Sequence, residues 1–145
     1  MTIDQSIHTE KLIEAPPSTV FAYLTSSEKW ARWQGNEATI EPRVGGLFRM
    51  VMGNGMIARG QFLALVPDKK VVFTWGWVDR PGVPPGSSTV EIDLIDRDGS
   101  TLLKLKHSGL VSEEIPFHRQ GWEHYLTRLS VASRGIDPGP DTGPG

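Results

Sequence analysis

No cysteine occurs among the 145 residues, which excludes disulfides, thiolate catalysis and thiolate metal sites together. Apolar runs are short, and none approaches the roughly 20 residues of a membrane-spanning helix. The opening residues, MTIDQSIHTE, lack the apolar stretch of a secretory leader. Neither sign of charge dominates, with 15 basic against 17 acidic side chains. No general attraction to nucleic acid or to an anionic membrane is expected from such a balance. The plain expectation is a cytoplasmic protein with no nucleic-acid and no membrane partner. One domain over residues 1–135 is expected, followed by a disordered Pro/Gly-rich tail at 136–145.

Chemical motifs are equally sparse. Gly45-Gly46 lacks the downstream Gly-Lys-Ser/Thr of a phosphate-binding loop, and Ser108 lacks the flanking glycines of a nucleophile elbow. Glu123-His124 has no second histidine at helical spacing, while His118 and His124 lie six apart, on different faces of a helix. No metal site and no cofactor motif are expected. Glu113-Glu114 stands at a helix start, where two carboxylates complement the helix dipole.

What the chain does have is a change of hydrophobic period. His8 to Glu14 reads as a strand, stopped by Ala15-Pro16-Pro17. Val20, Phe21 and Leu24 mark a short helix entered through proline. Thr25-Ser26-Ser27-Glu28 reads as a capping box for a second, carrying Trp30 and Trp33. From Ala38 the period becomes two. Phe48, Met50 and Met52 alternate with polar or outward positions up to the turn at Gly53-Asn54-Gly55. Met56 to Val66 is a strand whose face changes partway, predicting a bulge near Gly60. Val71, Phe73, Trp75 and Trp77 form one apolar face, and Val90, Ile92 and Leu94 another, ahead of a turn at Asp98-Gly99. Leu103, Leu105 and His107 point one way, with Lys104 and Lys106 the other. A long helix starts between Ser112 and Phe117 and stops near Gly135. Its stripe is Trp122, Tyr125, Leu126, Leu129 and Ala132.

Burying each such side chain contributes about 1.5–3 kcal/mol, so the stripe needs a large apolar partner. The upstream strands supply it. The expected fold class is α+β: a curled antiparallel sheet of six to seven strands around a long C-terminal helix, with two short helices after the first strand. Between sheet and helix, candidate walls of a cavity are Trp33, Phe48, Met50, Phe62, Trp75, Trp77, Val90, Ile92, Leu105, Trp122, Tyr125 and Leu129. His107 is the candidate polar anchor. His107 and Tyr125 are also the candidate acid–base groups, against the plainer reading of both as core.

Six segments in order resemble a known family. Ile13-Glu14-Ala15-Pro16-Pro17-Ser18-Thr19-Val20-Phe21 is similar to an I-x-A-P-x-x-x-V-F/W motif, and Trp30–Trp33 followed by Pro42-Arg43-Val44-Gly45-Gly46-Leu47-Phe48 to W…P-x-x-G-G-x-F. Gly60, Val72–Trp75 and Thr101–Gly109 continue the likeness, and Gly121-Trp122 with Leu126 and Leu129 matches G-W-x-x-x-L-x-x-L. These belong to the helix-grip, START-like superfamily of polyketide cyclases and birch-pollen-allergen-like proteins, in the branch named for the activator of the heat-shock-protein-90 ATPase. The resemblance implies a helix-grip fold and, first, a carrier, sensor or sequestering module for a small hydrophobic or aromatic ligand. A cyclase or lyase using His107 or Tyr125 is the second expectation. A chaperone-ATPase cofactor is the third, ranked last because the sequence shows no clear exposed apolar or charged patch. Oligomeric state is left open.

Overall fold

In the computed structural model, which describes residues 6–144, β1 (Ile7–Ile13) ends where Pro16 and Pro17 withdraw their ladder donors. Pro17 then opens α1 (Pro17–Leu24), where a missing N–H costs nothing. The single turn α2 (Ser27–Trp30) is capped by Ser26, whose Oγ accepts from the Lys29 N–H at 3.3 Å. The cap therefore sits one residue later than the Thr25–Glu28 box expected. The Thr25 hydroxyl is occupied by the last turn of α1, donating to the Phe21 carbonyl at 2.8 Å.

Six more strands follow: β2 (Glu37–Ile40), β3 (Leu47–Val51), β4 (Ile57–Val66), β5 (Lys70–Trp75), β6 (Ser88–Arg97) and β7 (Ser100–Ser108). They form one antiparallel sheet with β1, in the order β1-β7-β6-β5-β4-β3-β2. Every pairing but one joins neighbours in sequence. The exception brings β1 beside β7, with Ile7 opposite His107 and Ile13 opposite Thr101. Asp98 and Gly99, at φ 55° and 93°, make the primed turn that keeps β6 and β7 in step with the sheet's twist. On the outer face Lys70 reaches Glu91 at 2.8 Å and Asp93 at 3.4 Å, so both carboxylates lie on the polar side as their alternation predicts.

The long helix α3 (Ile115–Ser133) follows a 3₁₀ turn at Ser112–Glu114. The stripe Trp122, Tyr125, Leu126, Leu129 and Ala132 is buried against the concave face of the curled sheet. Gly135 (φ 80°) closes the helix: its N–H meets the Ala132 carbonyl and the Ile136 N–H the Val131 carbonyl, the pairing of a Schellman stop. No helix among the described residues is long and apolar enough to cross a membrane.

The change of face in β4 is real, but its bulge lies three residues beyond Gly60. The register slips between Phe62 and Ala64, so Arg59, Gln61 and Leu63 share the outer side and Leu65 turns inward. Gly60 serves another purpose. A Cβ there would lie 1.9 Å from the Thr74 carbonyl oxygen, so glycine marks a close backbone approach. Thr74 uses its hydroxyl to receive the Gln61 N–H at 2.9 Å.

Substituting Gly60→Ala pushes β4 away from β5 and should destabilise the fold by about 1–3 kcal/mol or more. Equilibrium unfolding in urea reads this as a lower midpoint at unchanged slope. An unchanged midpoint would refute the close approach.

Candidate functional site

A cavity of about 420 Å³ opens at one end of the grip. The inner face of β5 supplies Trp75, and Trp77 follows just past the strand's end. The first half of α3 contributes Phe117, His118, Gly121, Trp122 and Tyr125. Met52 to Asn54 and Met56 come from the β3–β4 hairpin, Gln34 from the segment after α2, and Asp141 to Pro144 from the C-terminal segment. The walls are mainly apolar, with few polar groups, the usual make-up of a small-molecule site.

Of the residues expected at the walls, Trp75, Trp77, Trp122 and Tyr125 are there. Trp33, Phe48, Met50, Phe62, Val90, Ile92, Leu105 and Leu129 face the same interior but are packed solid. Phe48 stacks on Phe73 at 4.4 Å, and Trp30 meets Trp33 at 4.7 Å and Phe48 at 5.1 Å. Alternation gives the side of the sheet a residue faces, not the layer above it. Residues the alternation did not single out are Gln34, Phe117, His118, Gly121 and the C-terminal segment. Met52 and Met56 carried a signal, as adaptable apolar residues at a hairpin beside aromatic strands.

His107 lies behind the wall, in a closed relay. Trp122 Nε1 donates to His107 Nδ1 at 2.9 Å. An indole nitrogen only donates, so His107 carries its proton on Nε2, directed at Ser88 Oγ 2.9 Å away. Ser88 in turn donates to the Trp75 carbonyl at 2.8 Å. Burial holds the His107 imidazole well below its ordinary range, at about 3, with His118 adding to the effect. Both ring nitrogens are engaged, leaving no position for proton transfer to a ligand.

His118 repeats the arrangement in reverse. Trp77 Nε1 donates to its Nε2 at 3.0 Å, and Nδ1 donates to the Glu114 carbonyl at 2.7 Å. Desolvation lowers its pKa, partly offset by Glu114. Glu114 also receives Arg80 Nε at 2.8 Å, and the Arg80 guanidinium lies 4.4 Å from the centre of the Phe117 ring, pinning the loop after Trp77 to the start of α3. No group of three His, Asp or Glu side chains suited to a metal occurs among the described residues.

The C-terminal segment has no regular secondary structure, and its described residues bond to α3 and to the segment after α2. Arg128 donates to the carbonyls of Pro138, Pro140 and Gly139 (3.2, 3.3 and 2.8 Å) and to that of Trp33 (2.9 Å). Asp141, with a side chain 2% exposed, accepts from the Gly35 N–H at 2.7 Å, the Tyr125 hydroxyl at 3.1 Å and the Gly143 N–H at 3.0 Å. Burial first, then the Asp141 carboxylate, raises the Tyr125 pKa, so the phenol stays protonated and committed to Asp141.

Two outcomes follow. The His107 pKa is lower folded than unfolded, so its contribution is complete above about pH 6.5 and declines as pH falls toward 3. Stability should drop by up to about 1.4 kcal/mol per pH unit for this one proton, and His107→Gln, which cannot gain it, should show a shallower acid slope in urea unfolding. Equal slopes would refute the neutral relay. For the segment, Arg128→Ala should speed amide exchange at Gly139, Asp141 and Gly143 while the helix amides of α3 keep their protection.

Comparison with known proteins gives this geometry a family. Residues 14–133 match the family model described as "Activator of Hsp90 ATPase homolog 1-like protein". The human activator of 90 kDa heat shock protein ATPase homolog 1 is 32% identical over 109 residues, covering 75% of this chain and 31% of that protein. The chain thus spans about a third of the length of the curated relatives it matches. An AHSA1-like protein of Rhizobium etli, solved by NMR, is 45% identical, with a TM-score of 0.74 over 94% of this chain and 86% of that one. DynU16, a putative protein of the dynemicin biosynthetic locus, shares the fold at a TM-score of 0.81 and 22% identity, covering 96% of this chain and 51% of its own. On the family match and on the helix gripped by its curled sheet, the chain belongs to the Activator of Hsp90 ATPase homolog 1-like family.

Proposed function

We propose that this protein binds a small hydrophobic or aromatic molecule in the cavity between the end of the sheet and the first half of α3. The observation that carries this reading is the 420 Å³ space itself, walled by Trp75, Trp77, Trp122, Phe117, Met52 and Met56. A void of that size beside indole rings forfeits dispersion contacts that a ligand restores. The closed relay at His107 and the commitment of Tyr125 to Asp141 favour binding over acid–base turnover as a cyclase or lyase.

A second reading is favoured by the likeness to the human activator, 32% identical over 109 residues. It makes this chain a chaperone-ATPase cofactor, and a stimulated ATPase rate of the purified chaperone on adding this protein would support it.

The ligand reading predicts that tryptophan emission responds saturably to members of a panel of apolar ring compounds. Gly121 offers the control. A Cβ there meets nothing within 4 Å, so Gly121→Leu places a side chain at the cavity wall and removes a helix-interior glycine worth about 1 kcal/mol. The variant should keep or raise its melting temperature while losing the fluorescence response. A response equal to that of the parent chain places binding elsewhere.

A further inference from the structure

The described C-terminal residues form a strap across one side of the cavity. After the stop at Gly135 the chain doubles back along α3. Arg128 binds the carbonyls of residues 138–140, the Tyr125 hydroxyl donates to Asp141, and Gln120 Nε2 donates to the Pro144 carbonyl at 3.4 Å. Each contact lies nearer the start of the helix than the one before, so the strap runs antiparallel to α3. Asp141 to Pro144 thereby reach the cavity. The opposite lip is touched as well. The Gly35 N–H donates to Asp141 Oδ2 at 2.7 Å. A Cβ added at Gly53, in the β3–β4 hairpin, would lie 2.9 Å from the Asp141 carbonyl oxygen. Asp141 therefore bridges the helix, the segment after α2 and the hairpin.

With the strap in place, Trp75, Trp77 and Trp122 are only 2%, 4% and 2% exposed, against 40% for Phe117 at the rim. A ring compound that stacks on those indoles needs part of the wall to move. The parts of the wall differ in what holds them. β5 lies inside the sheet, the hairpin is paired along its ladder, and α3 is buried along its stripe. The strap has no ladder and no helix, and Ile136, Pro140, Thr142 and Pro144 are exposed. Its attachment is the set of hydrogen bonds to Arg128, Tyr125, Gln120 and Gly35. A segment with few buried apolar contacts opens at the low end of the local stability range, while the core stays folded. The strap also lies beyond residue 133, where the family match ends, so the shared domain does not assign it a role.

We propose that residues 138–144 are a gate, and that a ligand enters and leaves the cavity when this strap lifts from α3 and Gly35; the proposal rests on the ligand-binding reading above. Two substitutions loosen the strap from different sides. Asp141→Ala deletes the acceptor of the Gly35, Tyr125 and Gly143 bonds. Gly53 has no left-handed φ, so Gly53→Ala is tolerated by its own backbone and crowds the Asp141 carbonyl instead. The first measurement needs no ligand: acrylamide, a small neutral quencher, should give a steeper Stern–Volmer slope for tryptophan emission in both variants than in the parent chain. Amide exchange of α3 and β5 should match the parent, since the core is untouched. The second measurement is stopped flow with a member of the apolar panel that changes tryptophan emission. Losing a hydrogen bond to a charged group raises the open population about tenfold, so Asp141→Ala should speed association and dissociation together by about that factor. Gly53→Ala should shift both rates the same way. Faster dissociation alone makes the strap a fixed wall and overturns the gate. Unchanged rates in both variants, or an unchanged acrylamide slope, place entry elsewhere and overturn it too, leaving ligand binding standing. Silence across the whole panel removes the gate and the ligand reading together.

Discussion

An indole N–H cannot be buried without an acceptor except at a cost, and that constraint organises one end of this fold. Apolar burial holds α3 against the sheet but is non-directional, so it leaves the rotation and axial position of the helix loosely set. Two Trp–His bonds remove that freedom. Trp122 on α3 donates to His107 on β7, which continues through Ser88 on β6 to the carbonyl of Trp75 on β5. Trp77, beyond β5, donates the opposite way, from the sheet side to His118 on α3. The two imidazoles lie 5.3 Å apart at 88°, so the bonds cross the same interface in opposite senses. Both need a neutral ring, which makes the end of the grip depend on burial that keeps each imidazole unprotonated.

Side-chain period carries one kind of information and misses another. The stripe of α3, the inward faces of β5, β6 and β7, and the turn at Asp98-Gly99 were legible because each is written in spacing or in residues that tolerate positive φ. His107 was legible as inward-facing, but its partner fifteen residues away was not, since no local rule couples β7 to α3. By spacing, His118 reads only as a metal-ligand candidate set against His124, whereas its role is to accept one hydrogen bond and donate another. Gly60 shows the ambiguity of glycine in a strand, which signals either a bulge or a close backbone approach. Only the position of Thr74 decides between them.

The C-terminal segment illustrates how composition can be right about local structure and silent about docking. Proline and glycine prevent a helix or strand here, but they leave carbonyl oxygens free, and proline lowers the entropy lost on fixing the chain. A guanidinium carries five donors in a planar fork, so Arg128 on α3 gathers three of those carbonyls and that of Trp33 at once. Asp141 then brings its carboxylate against Gly35 and Tyr125. Neither the guanidinium of Arg128 nor the partners of Asp141 can be read from the segment's own composition. The result is a wall for the cavity where helix and sheet do not meet, opposite the glycine at position 121 that withholds a side chain.

Family membership fixes the architecture and leaves the ligand to be argued from the wall. The aromatic residues alone cannot make that argument, because Trp30, Trp33 and Phe48 form solid core with the same chemistry that Trp75, Trp77 and Trp122 bring to the cavity. What separates core from site is the state of the polar atoms those rings carry. In the core every indole N–H finds an acceptor, and at the cavity Trp77 and Trp122 find theirs by turning away to histidines. Trp75 has no such exit: its own carbonyl is already the end of the His107–Ser88 relay, and its ring is held among Trp77, His107 and Trp122. The relay that fixes the helix therefore also holds Trp75 in place, its ring lining the cavity while its Nε1 stays buried and unpaired.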